Sequence, residues 1–251
     1  MSLNHLRKAP QRIINNLTAL YNKGKIEETL GKAQDAIIEF PNTPTIHNML
    51  GVIYSKQGQK NLSITHFQEV LKLEPNNYHA YNNLCVALID FEDFEEAQKL
   101  LETALKINPN YPNSYYNMGI IMQHKGMLDK AIEVFEQAIM LKPNYTAAYN
   151  SIGNCLKDKG ALEEAIKAYS RVVLFNPNYA DSHYNMGNVL QEQGKKEEAV
   201  EAYTKAISIN PNSADSYYNM GNVLQEQNKK KEAVEAYTKA ISINPNSADI
   251  F

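Results

Sequence analysis

Apolar residues recur along this chain at helical spacing, in stretches broken by polar turns. In residues 180–213, His183, Met186, Gly187 and Leu190 fall at i, i+3, i+4 and i+7, one face of a helix. Gly194 supplies a turn, and Ala199, Tyr203, Ala206 and Ile207 then mark the apolar face of a second helix. Pro211 stops that helix, because it has no N–H to donate and disfavours α geometry in the residue before it. The unit is therefore a helix, a turn, a helix and a stop.

The same unit returns down the chain. Prolines at 41, 75, 109, 143, 177, 211 and 245 are separated by 34 residues each, and every one precedes an asparagine. A fixed period of this length is the mark of a stacked repeat protein. It predicts blocks 10–43, 44–77, 78–111, 112–145, 146–179, 180–213 and 214–247, after an N-terminal segment 1–9 and before the start of a further helix at 248–251. Ser182–Asp215 and Ser216–Asp249 agree at 31 of 34 positions, as a tandem duplication would leave them.

Three columns define the packing. A small residue in the first helix is Gly51, Cys85, Gly119, Gly153, Gly187 and Gly221. The second helix carries Ala97, Ala131, Ala165, Ala199 and Ala233, with Thr29 and Ser63 earlier. Four residues on come Phe67, Phe135, Tyr169, Tyr203 and Tyr237, with Leu101 as an exception. Small residues let paired helices approach, and the aromatic fills the space beside them.

With these columns the chain resembles the tetratricopeptide repeat family, whose pattern runs W-x2-L-G-x2-Y, A-x3-F, P. The tryptophan column holds Ile13, His47, Tyr81, Tyr115, Tyr149, His183 and Tyr217, and the chain has no tryptophan. The four tyrosines of that column are expected in the core. Block 10–43 is the most divergent, with Leu17, Thr29 and Ala33 at the signature positions, and reads as a degenerate cap. The resemblance implies an all-α, right-handed α-solenoid, a superhelix of about seven helix-turn-helix repeats, with first helices lining a concave groove.

Composition narrows the function. Lys plus Arg total 25 against 28 Asp plus Glu, a net charge of −3, which speaks against a general nucleic-acid binder. No apolar run is long enough for a membrane span, and MSLNHLRKAP lacks the apolar core of a secretory signal, so a soluble cytoplasmic protein is expected. Cys85 and Cys155 are too few for a disulfide framework and read as small buried thiols. The six histidines show no metal-ligand spacing, and no phosphate loop or nucleophile motif is present. No metal, cofactor or enzymatic activity is expected.

At about 100° per residue, Asp181, Tyr184, Asn185, Asn188 and Gln191 point away from the packing stripe of their helix. By the resemblance, that arc faces the groove. Down the array it forms one column of Asn83, Asn117, Asn185 and Asn219, and another of Asn154, Asn188 and Asn222. A mixed column holds Asn48, Asn82, Tyr116, Asn150, Tyr184 and Tyr218, with Lys157, Gln191 and Gln225 nearby. Mid-helix asparagine costs helix propensity. Its carboxamide offers donor and acceptor alike, which suits a peptide backbone; the same groups would also serve hydrogen bonds to neighbouring helices. The pattern is similar to the asparagine ladder of O-linked N-acetylglucosamine transferases.

The arc changes character along the chain. Val52, Val86, Ile89 and Ile120 give blocks 44–145 an apolar stretch, whereas blocks 146–247 are polar. No lysine stands in the mixed column, which argues against a carboxylate clamp for acidic tails. The acidic run Asp90, Glu92, Asp93, Glu95 and Glu96 reads as a solvated turn and helix start.

Three readings stay open. The first is a non-catalytic scaffold holding a protein or peptide, extended or as a helix, in the groove. The second is the recruiting arm of a larger glycosyltransferase-type enzyme, for which a chain stopping at Asn246–Phe251 would be a truncation. The third is a homo-oligomer stacking through its terminal repeats, near Ile241, Ile250 and Phe251.

Overall fold

The computed structural model describes residues 8–245. Among these there are fourteen helices and no strand: α1 (Gln11–Asn22), α2 (Ile26–Glu39), α3 (Pro44–Lys56), α4 (Lys60–Leu73), α5 (Tyr78–Asp90), α6 (Phe94–Ile107), α7 (Pro112–His124), α8 (Leu128–Leu141), α9 (Thr146–Asp158), α10 (Leu162–Phe175), α11 (Ala180–Glu192), α12 (Lys196–Ile209), α13 (Ala214–Glu226) and α14 (Lys230–Ile243). The fold is an all-α solenoid of helix-turn-helix pairs. The further helix expected at 248–251, with Ile250 and Phe251, lies outside the described residues, as do residues 1–7 of the N-terminal segment.

The chain forms two compact units, residues 1–121 and 122–251. Within the first, α1 packs on α2, α3 on α4 and α5 on α6, while α2 and α4 also pack on the following helices α3 and α5. The second unit repeats the arrangement through α9–α10, α11–α12 and α13–α14, bridged by α8–α9, α10–α11 and α12–α13. Second helices are thus sandwiched between first helices.

The pairs close over their small residues. A Cβ built on Gly153, Gly187 or Gly221 would lie 2.4, 2.5 or 2.6 Å from Cε1 of Tyr169, Tyr203 or Tyr237, and one on Gly51 would lie 2.7 Å from Cε1 of Phe67. Both Tyr169 and Tyr203 are fully buried. The exceptions conserve volume in other ways. Cys85 stands opposite the smaller Leu101, and in the first pair Leu17 stands opposite Ala33, so the bulk comes from the other helix. Thr29 and Ser63, in the alanine column, are buried but satisfied: Thr29 Oγ1 donates to the Lys25 carbonyl at 2.7 Å, and Ser63 Oγ to the Gly51 carbonyl at 2.9 Å.

Two features differ from the sequence expectation. Tyr81, Tyr115, Tyr149 and Tyr217 are half-buried rather than core. Tyr115 Oη donates to the Pro109 carbonyl at 3.0 Å, and Nε2 of His47 and His183 meets the carbonyls of Pro41 and Pro177 at 2.8 and 3.3 Å. First helices also bury a second stripe, seen in α11 at Ser182 and Val189, where Val189 joins Ala165 and Tyr169 of α10.

The turn inside each pair needs a left-handed residue. In one of them, Gly194 has φ +73°, its N–H bonds to the Gln191 carbonyl and Lys195 N–H reaches back to Leu190. This geometry closes the orphan carbonyls of the first helix. Glu92 adopts φ +61° at the same place, with Asp93 N–H bonded to the Leu88 carbonyl.

Two substitutions test this packing. Gly187→Ala gains roughly 1 kcal/mol of helix propensity but drives a methyl into a ring that cannot retreat, so urea unfolding should show a net loss of about 1–2 kcal/mol. Adding Tyr203→Leu, which copies the Cys85–Leu101 pair, should recover part of it. Glu92→Gly should raise the urea midpoint, by about 1 kcal/mol of stability, because glycine carries no left-handed penalty.

Candidate functional site

The predicted groove residues sit on first helices, held by the packing just described. Their side chains are joined into networks. In the first unit Asn83 Nδ2 donates to Asn48 Oδ1 at 2.8 Å and Asn117 Nδ2 to Asn82 Oδ1 at 2.9 Å. Asn82 and Asn117 are buried, so this pair is spent on itself rather than held open for a ligand. Val86 is exposed, while Val52 and Ile89 are half-buried on the same unit.

In the second unit the network is denser. Asn185 Nδ2 donates to Asn150 Oδ1 at 3.3 Å and Asn154 Oδ1 at 3.4 Å. One repeat on, Asn219 Nδ2 donates to Tyr184 Oη at 3.1 Å and Asn188 Oδ1 at 3.0 Å. From the second helices, Tyr169, Tyr203 and Tyr237 donate their hydroxyls to Oδ1 of Asn154, Asn188 and Asn222 at 2.7, 2.8 and 2.8 Å. Tyr203 and Tyr237 also reach Oε1 of Gln191 and Gln225, at 3.0 and 2.9 Å. Burial pushes the Tyr169 and Tyr203 phenols well above their ordinary range, so both keep their protons.

Asn150, Asn154, Asp181, Tyr184, Asn185 and Asp215 line one polar hollow of about 360 Å³ in this unit. The rings of Tyr184 and Tyr218 lie 6.1 and 5.8 Å from those of Tyr203 and Tyr237. Tyr116 is half-buried on α7. Lys157 is partly exposed, with its ammonium 3.5 Å from Asp158. Sequence reasoning placed these residues on one arc but missed the tyrosine hydroxyls behind them. The signal was present: asparagine occupies the 154, 188, 222 column only where tyrosine, not phenylalanine or leucine, occupies the aromatic column.

Other candidate chemistry is muted. Cys85 and Cys155 are free and buried, and desolvation pushes their thiols up to about 12 and about 11. Among the described residues no group of three or more His, Cys, Asp or Glu is placed to hold a metal ion. None of the described helices is long and apolar enough to cross a membrane. The acidic run spans the turn between α5 and α6, with Glu95 and Glu96 in the first turn of α6.

One polar cluster in the first unit went unread in the sequence. The Pro41 carbonyl can only accept, so His47 carries a proton on Nε2, and the two Nδ1 atoms of His47 and His66 share one hydrogen bond at 2.9 Å. His66 stacks on Tyr54, whose hydroxyl accepts from Gln34 Nε2 at 2.7 Å.

Models of the tetratricopeptide repeat match residues 57–118, 112–145 and 214–247, and a TPR repeat model matches 153–194 and 188–228. The chain belongs to the tetratricopeptide repeat family. Among solved structures, MamA is similar at 27% identity and TM-score 0.60, over 66% of this chain and 97% of that one. A chain of the APC/C hetero-tetramer Cut9–Hcn1 matches at 15% identity and TM-score 0.76 over 96% of this chain and 48% of that one. YrrB, described as a TPR protein with an unusual peptide-binding site, matches at 23% identity and TM-score 0.57 over 71% and 92%.

Two curated relatives match over shorter stretches. The probable biofilm formation methyltransferase WspC of Pseudomonas putida is 23% identical over 100 residues, and the Cell division cycle protein 27 homolog A of Arabidopsis thaliana is 37% identical over 62. These stretches are 40% and 25% of this chain, but only 24% and 9% of the relatives.

The histidine pair gives a pH prediction. Burial and the neighbouring His47 lower the His66 pKa from 6.5 to about 4, against a smaller opposing pull from Glu69. The unfolded chain then binds a proton that the folded chain resists. This contribution to stability is complete above pH 6.5 and is lost as pH falls toward 4. His66→Gln, which keeps a donor toward His47, should flatten that part of the profile when melting is followed from pH 7 to 4.

Proposed function

We propose that this chain is a non-catalytic protein-interaction scaffold that holds an extended peptide or a partner helix against the first-helix face of its repeats. The carrying observation is the polar hollow of the second unit, where carboxamides and carboxylates from successive first helices converge. A stacked array presents such a surface without ordering itself on binding, which lowers the cost of association. The ligand-contacting set is Asn154, Asn185, Asn188, Asn219 and Asn222 with Tyr184, Tyr218, Gln191 and Gln225, and Asn48, Asn83, Asn150, Tyr116 and Lys157 extend it. Asn82 and Asn117 are left out because they are buried against each other. The peptide-binding site named for YrrB supports the reading.

The 34-residue blocks from 10–43 to 214–247 are taken as the repeats, with 10–43 as a cap. Exposed Gln11, Asn15, Asn16 and Thr18 on α1 suit a helix that ends a stack in water. A recruiting arm within a longer enzyme is the second reading. It rests on the expected resemblance of the asparagine columns to the ladder of O-linked N-acetylglucosamine transferases, and is supported by a methyltransferase relative far longer than the matched segment. Stacking between copies rests on the partly exposed Ile241 near the end of α14.

The test is selection of random fifteen-residue peptides displayed on phage, with the Asn185→Ala, Asn188→Ala, Asn219→Ala, Asn222→Ala variant alongside. Peptides enriched on the native chain should bind the variant at least tenfold more weakly. Helical circular dichroism should persist, while the melting temperature drops by several degrees because the Asn219–Asn188 and Tyr203–Asn188 bonds are lost. Failure to enrich any peptide, or equal binding by both proteins, would remove the groove reading.

A further inference from the structure

In the second unit a tyrosine hydroxyl, on a buried ring at Tyr169 and Tyr203 and a half-buried one at Tyr237, stands behind each carboxamide of one column. Tyr169, Tyr203 and Tyr237 pass over Gly153, Gly187 and Gly221, where the absent Cβ leaves room for the ring, and end on Oδ1 of Asn154, Asn188 and Asn222. Two of these oxygens accept a second bond. Asn185 donates to Asn154 at 3.4 Å and Asn219 to Asn188 at 3.0 Å. Turning the Asn188 carboxamide over would set its amino group against the amino group of Asn219 and would lose the acceptor that the Tyr203 hydroxyl shares with Gln191 Oε1. No bond within the described residues uses Nδ2 of Asn154, Asn188 or Asn222, so each keeps its N–H groups for something else.

The first unit is a natural control. There Val52 and Val86 replace the asparagine, and Phe67 and Leu101 replace the tyrosine. Where no hydroxyl reaches the column, no carboxamide stands in it. A buried phenol needs an acceptor, and the carboxamide supplies one while its other end stays toward the ligand side.

We propose that Tyr169, Tyr203 and Tyr237 are positioning residues, which fix the carboxamides of Asn154, Asn188 and Asn222 with oxygen inward and N–H outward. The groove then offers amide donors, one asparagine per repeat, to acceptor oxygens of a bound chain such as peptide carbonyls. This rests on the groove reading above for its ligand but not for its geometry. The raised phenol pKa values keep the hydroxyls as donors at any working pH.

The experiment uses Tyr169→Phe, Tyr203→Phe and Tyr237→Phe, singly and together. Phenylalanine already fills the equivalent place at Phe67, so the ring packing survives. In amide-resolved NMR of the full chain, Tyr203→Phe should move the side-chain amide resonances of Asn188 while leaving the backbone amides of α11 nearly in place. The triple variant should bind a phage-selected peptide roughly tenfold more weakly than the native chain. A Tyr203→Phe, Asn188→Val pair, which copies Phe67 and Val52, should regain the stability lost in Tyr203→Phe without regaining affinity. An Asn188 amide unmoved by Tyr203→Phe overturns the proposal, and so does a moved amide with unchanged peptide affinity. If the native chain selects no peptide, the groove reading fails by itself, and the resonance measurement still decides whether the tyrosines orient the carboxamides.

Discussion

Everything in this molecule depends on how closely two helices of a pair can approach. Where a glycine faces a ring, as at Gly187 and Tyr203, the gap is too narrow for one additional carbon. Other pairs fill the contact by different means, with buried Cys85 and Leu101 in one and buried Leu17 and Ala33 in another. What is held constant is the summed volume across the contact, as close packing requires. Once that spacing is fixed, the remaining face of the first helix is carried to the surface at a defined angle. The carboxamides on that face inherit their placement from a contact on the far side of their helix.

The fold was legible because a period of 34 residues multiplies every local signal. A single glycine followed by a ring sixteen residues on would mean little, while four such pairs identify the packing. The candidate site was half legible. Helical angle puts Asn185 and Asn188 on one arc, because that needs only geometry. Their bonds could not be read by comparing columns, since Asn83 meets Asn48 across 35 residues and Asn219 meets Asn188 across 31. Neither interval equals the period, so each bond joins two different columns.

The two units use one scaffold for two surface chemistries. The presence of a single oxygen atom on the ring of the second helix separates them. With phenylalanine or leucine there, valine can cover the helix and the surface turns apolar, as at Val86. With tyrosine, the hydroxyl calls for an acceptor and the surface becomes a row of carboxamides. A buried atom thereby selects the exposed chemistry, which ties the character of the groove to the core behind it.

The carboxamide bonds also have a sense of direction. Among the described residues, the asparagine bonds between neighbouring repeats, Asn83 to Asn48, Asn117 to Asn82, Asn185 to Asn150 and Asn154, and Asn219 to Tyr184 and Asn188, all have the later repeat donating and the earlier one accepting. Each of these donor asparagines gives its repeat a donating edge toward the repeat before it, which the repeats carrying Met49 and Ser151 in that column lack. A 34-residue block that carries both the donor and an acceptor, as the last two do, can be duplicated without leaving a mismatched joint. The near-identity of the last two blocks, joined by Asn219 and Tyr184, is what such a duplication leaves behind.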